Sequence, residues 1–82
     1  MSSIQAAEAK MYQKDIEEQV AGYAPVMTLN TLQLKADGSA FVSVQVAGES
    51  QARGELFVER TVTEAAQKVK DKIRGIFTSL AN

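Results

Sequence analysis

Eighty-two residues suffice for one domain with a thin core and are too few for two. Apolar residues make up 45% of the chain, charged residues 23%, and the formal net charge is −1, which argues against disorder and against a general attraction to polyanions. Cysteine and histidine are both absent, so the thiol nucleophile, the imidazole base and the usual zinc ligands are missing, and no metal or cofactor is expected.

The opening MSSIQAAEAK has no basic segment followed by an apolar run. No apolar stretch nears the ~20 residues that cross a bilayer. A cytoplasmic location without membrane contact is the expectation.

The first predicted element is a helix from about Ser3 to Ala21. Ser2 and Gln5 have the spacing of a capping box, Gly22 can end the helix in a left-handed conformation, and Pro25 prevents its resumption. Ala9, Tyr12, Ile16 and Val20 share one face, while Lys14 can reach Glu17 and Glu18 on the wet side.

From Val26 to Thr61 the period changes to two. Val42, Val44 and Val46 alternate with polar or small residues; Leu32 with Leu34, and Leu56 with Val58, extend the pattern on either side. Asp37-Gly38-Ser39 and Gly48-Glu49-Ser50 are the predicted turns. Centring the first hairpin on Gly38 sets Leu34 opposite Val42 and Leu32 opposite Val44. Centring the second on Glu49 sets Val42 opposite Leu56 and Ala40 opposite Val58, which gathers the apolar residues on one face. Met27 and Leu29 have the other parity, so a bulge or a late strand start near Asn30 and Thr31 is expected.

Thr61 and Glu64 open the last helix with a second capping-box pattern. Its stripe is Val62, Ala66, Val69, Ile73, Ile76, Phe77 and Leu80, and Gly75 within it suggests a close packing contact. The expected fold is a single α+β domain over residues 1–82. Its two layers follow the order α-β-β-β-α, a three-stranded antiparallel meander with both helices on one face.

Such a sheet leaves its other face bare. In the register above Phe41 and Phe57 meet there among Gln33, Lys35, Ser43, Gln45, Arg53, Glu55 and Glu59. They form a partner-binding or self-association patch, a platform for unpaired bases, or an aromatic pair shielded by the stems of Lys35 and Arg53. Ile4, Ala7 and Met11 lie on a helix face rotated away from the core face, and pack over the sheet edge, fray at the chain start, or meet another copy in a homodimer. Lys68, Lys70, Lys72 and Arg74 crowd the last helix, as a solvated face or as candidates for phosphate contact.

The element order, and the layout from Phe41 through Gly54 into the last helix, resembles the double-stranded-RNA-binding domain. That family opens its last helix with a phosphate-gripping lysine cluster. Here Glu59-Arg60-Thr61-Val62-Thr63-Glu64-Ala65-Ala66 carries one cation and two acids. The loop Lys35-Ala36-Asp37-Gly38-Ser39 also lacks the histidine that the family often places against the minor groove. The resemblance is therefore one of layout.

Glu55 and Glu59 share a strand face but stand about 13 Å apart by strand rise, too far for most paired-carboxylate mechanisms. The sequence thus points to a non-enzymatic protein–protein interaction module, self-associating, of an accessory, assembly or inhibitor type. RNA or single-stranded nucleic-acid binding is the alternative.

Overall fold

The computed structural model describes residues 3–81. Its elements are α1 (Ser3–Ala21), β1 (Met27–Leu34), β2 (Ser39–Val46), β3 (Arg53–Val58) and α2 (Val62–Ala81). The strands form one antiparallel sheet in the order β1-β2-β3, with the helices packed on it, α1 over β1 and α2 chiefly over β2. The expected α+β architecture is therefore the observed one.

The core lies between the valine face of β2 and the two helices. Ile16 and Val20 from α1, Met27 from β1, Val42 and Val44 from β2, and Val69 and Ile73 from α2 are fully buried. Burial of each such side chain is worth about 1.5–3 kcal/mol relative to exposure. Tyr12, Leu29, Leu32 and Phe57 are half-buried around this centre.

The helices run side by side in the same direction. Tyr12 Oη lies 3.1 Å from Thr63 Oγ1, Lys70 Nζ lies 2.7 Å from Asp15, and Gln19 Nε2 donates to the Lys70 carbonyl at 3.1 Å. The Tyr23 and Phe77 rings stack at 4.1 Å and close the far end. This stagger leaves the first turns of α1 beyond the start of α2, in a molecule 41 Å long and 20 Å across.

Local chemistry accounts for the ends of the elements. Thr61 Oγ1 accepts from the Glu64 N–H at 3.1 Å and faces the Glu64 carboxylate at 3.3 Å, which caps α2. The expected Ser2–Gln5 capping box involves Ser2, which lies outside the described residues. α1 ends without a left-handed glycine, because among the described residues only Gly38 and Gly48 have positive φ. The Gly22 N–H instead reaches the Glu18 and Gln19 carbonyls, both at 3.2 Å, and a turn carries the chain past Pro25. Gly75 makes no close contact either: a Cβ added there would meet nothing within 4 Å. The expected packing role is thereby corrected, since α2 turns this position to open space.

The bulge expected near Asn30 is present. The β1–β2 register shifts between Leu29 and Thr31, which restores Met27, Leu29, Leu32 and Leu34 to one side. Leu32 pairs with Val42 and Leu34 with Ala40, two positions from the expected partners but with the same parity, so the faces hold.

The β2–β3 register differs from expectation by one residue, and there the faces do not hold. Ala40 pairs with Phe57, Phe41 with Leu56 and Ser39 with Val58. The 47–52 loop opens with a turn in which the Glu49 N–H donates to the Val46 carbonyl at 3.0 Å with Gly48 at φ +89°, and the ladder, ending at Val44 opposite Arg53, centres between Gly48 and Glu49 rather than on Glu49. A one-residue slip exchanges every side chain between faces. Phe57 therefore turns toward the helices, while Leu56 and Val58 turn away from them.

Candidate interaction surface

The open face of the sheet at β3 carries Gly54, Leu56 and Val58, with Phe41 beside them on β2. Leu56 is 64% exposed and Val58 75%, the most exposed large apolar side chains of the sheet. The Phe41 ring lies over Gly54, where a Cβ would stand 3.1 Å from Cζ. A shallow depression of about 60 Å³ opens between Phe41 and Leu56, lined also by Gln33 and Lys35.

The expected Phe41–Phe57 pair does not exist. Phe57 is half-buried against the core from the helix side, and the true neighbour of Phe41 across the strands is Leu56. Arg53, Glu55 and Glu59 leave the open face by the same slip. Gln33, Ser43 and Gln45 remain on it, and Asn30 Nδ2 donates to Ser43 Oγ at 3.3 Å across it.

The helix-side charges of β3 are engaged. Lys72 Nζ meets Glu55 at 3.0 Å, and Arg53 Nε donates to Glu49 Oε1 at 2.9 Å, with a second contact from the guanidinium to Glu49 Oε2. These bonds hold the Glu49 carboxyl below its ordinary pKa and the Arg53 guanidinium above its own. Gln45 Nε2 also donates to the Glu49 carbonyl at 2.7 Å, so the loop after β2 is tied at both ends.

Of the cations on α2, Lys70 faces α1 and pairs with Asp15, Lys72 faces β3 and pairs with Glu55, and Arg74 pairs with Asp71 at 3.3 Å. Lys70 and Lys72 thus flank opposite sides of the helix. Together with Lys68 they form no single cationic patch. On α1, Ile4, Ala7 and Met11 are exposed, Ile4 at 71%: Ile4 lies where the helix start overhangs α2, and Met11, level with the Tyr12–Thr63 contact, lies on the face turned away from the core. Lys14 enters none of the four ion pairs among the described residues; of these pairs, the one that joins α1 to the rest of the molecule is Asp15–Lys70.

An open, mostly apolar cleft of about 270 Å³ lies between the end of α1 and the start of β1, lined by Val20, Ala21, Ala24, Met27 and Leu29 with Glu17 and Thr28 at its rim. It gathers no convergent polar groups. Among the described residues there is no cluster of three or more metal-ligating side chains. Among the described residues no helix is long and apolar enough to cross a membrane.

Sequence reasoning missed Leu56 and Val58 as surface residues because it assigned them to the core. The signal was present in Leu56-Phe57-Val58, a run that is apolar on both faces of a strand and so leaves the register to the turn. Compared with protein-family models, with curated proteins and with solved structures, the chain matches none.

Proposed function

We propose that this chain is a non-enzymatic protein–protein interaction module that self-associates through the open sheet face at β3. The observation that carries the reading is the exposure of Leu56 and Val58 beside Phe41, at a strand edge with no neighbour. A small domain gains by burying aliphatic side chains, and a contiguous exposed group of them marks a contact surface. Ile4, Ala7 and Met11 are a lesser candidate, since they stand apart from the sheet on the outer face of α1. Nucleic-acid binding is the weaker reading, because three of the four α2 cations are already paired and lie on different sides of the helix.

The test is sedimentation equilibrium over a concentration series, with folding followed by circular dichroism. Wild type associates with rising concentration, the Leu56→Ser/Val58→Ser variant stays monomeric and folded, and Ile4→Ser/Met11→Ser behaves as wild type. A wild type that is monomeric throughout, or a Leu56→Ser/Val58→Ser variant that associates unchanged, overturns the reading.

A further inference from the structure

We propose that two copies join edge to edge, β3 against β3, into a six-stranded antiparallel sheet with Leu56 of each copy on the two-fold axis. This rests on the self-association reading and adds its geometry.

The backbone phase gives the first argument. The Glu59 N–H donates to the Gly38 carbonyl at 2.8 Å, so the odd-numbered residues of β3 exchange bonds with β2. The even-numbered Gly54, Leu56 and Val58 therefore turn their N–H and C=O groups to the free edge. Proteins protect such edges with bulges, proline, short strands or charged side chains, lysine above all, and the two charges of β3, Arg53 and Glu55, are already held by Glu49 and Lys72. β1 has the Asn30 bulge and is preceded by Pro25, whereas Arg53–Val58 contains no bulge, no proline and no lysine.

Charge selects the register. Pairing through the outward groups allows only registers that set even residues opposite even residues. Centring on Leu56 sets Gly54 opposite Val58 of the second copy and Arg53, which also holds Glu49 of its own copy, opposite Glu59 of the second, twice by symmetry. Sliding one way sets Glu55 opposite Glu55, and sliding the other way sets Glu55 opposite Glu59, both like-charge pairs. Glu59 enters none of the ion pairs among the described residues, so it is open to a cation from outside.

The side chains agree with that choice. The ring of Phe41 covers Gly54, so Val58 of the second copy, opposite Gly54, descends beside that ring. The two Leu56 side chains meet on the same face, and an apolar stripe runs from one Phe41 to the other. The helices do not obstruct the approach, because α1 lies over β1, and β3 is the strand they cover least.

Cysteine substitution tests the arrangement in a chain that has no cysteine of its own. Leu56→Cys forms a disulfide with itself under mild oxidation, because a hydrogen-bonded antiparallel pair sits at about 5.5 Å between Cα atoms. Val58→Cys does not, because the two copies of that residue are offset by four positions. In sedimentation, the Glu49→Arg/Arg53→Glu exchange, which keeps the bond within each copy, and Glu59→Arg each weaken association about tenfold, and the two combined recover it. Cross-linking of Val58→Cys in place of Leu56→Cys, or a combined variant as weak as its parts, overturns the register while association itself stands. A wild type that never associates overturns both.

Discussion

The backbone N–H of Glu59 reaches the carbonyl of Gly38 at 2.8 Å, and the two residues sit so close that a Cβ on Gly38 would stand 2.3 Å from the Glu59 carbonyl oxygen. This contact links the turn before β2 to the end of β3. It also keeps Phe57 facing the helices and Leu56 facing out.

Gly38→Ala is therefore expected to destabilise the fold by at least about 2 kcal/mol. The substitution adds the cost of a positive φ, here +101°, to a clash with backbone that cannot swing aside. Urea denaturation of the variant measures it. A loss under 0.5 kcal/mol would mean that the turn relaxes without the Glu59 contact.

Gly75→Ala is expected to act the other way. The position lies within α2, faces open space and leaves room for the methyl group. Stability should rise by about 0.5–1 kcal/mol, read from the same denaturation curves.

The stacked rings of Tyr23 and Phe77 fasten the end of α2 to the turn after α1. Phe77→Ala should cost about 2 kcal/mol. A double-mutant cycle with Tyr23→Ala should return a coupling of about 0.5–1.5 kcal/mol, while the same cycle with the distant Leu56→Ala should return none.

Acid should weaken the first turn. Asp37 Oδ1 accepts from Ser39 Oγ at 2.6 Å and from the Ser39 N–H at 3.0 Å, and these bonds hold its carboxyl below the ordinary aspartate pKa. A carboxylate whose folded pKa is depressed contributes stability above its unfolded value, and that contribution is lost as pH falls through the folded one. Glu49, held down by Arg53, has the same sign. Denaturation midpoints taken from neutral pH downward should fall in the acid range, and Asp37→Asn with Glu49→Gln should flatten that fall.

Much of the architecture was legible in the chain. The helix of Val62–Ala81 follows from its apolar stripe, and the Asn30 bulge from the change of parity between Leu29 and Leu32. The face assignment of β3 was not legible, because Leu56-Phe57-Val58 offers apolar side chains to either side. The deciding elements were a turn running from Val46 to Glu49 and the Gly38–Glu59 bond, which joins residues distant in sequence. The site inherited that uncertainty. Phe41 was placed correctly, Phe57 was not, and Leu56 and Val58 emerged only once the strand was turned over. The pairing of the α2 cations was equally hidden, since Asp15 and Glu55 reach them only through tertiary packing.

The same β3 sequence has an evolutionary consequence. Removing or adding one residue in the 47–52 loop would rotate the strand by half a turn while leaving the topology unchanged. Phe57 would pass to the surface, and Leu56 and Val58 to the interior. A single indel thus exchanges an aliphatic contact surface for an aromatic one, and brings a new binding preference without any substitution within β3 itself.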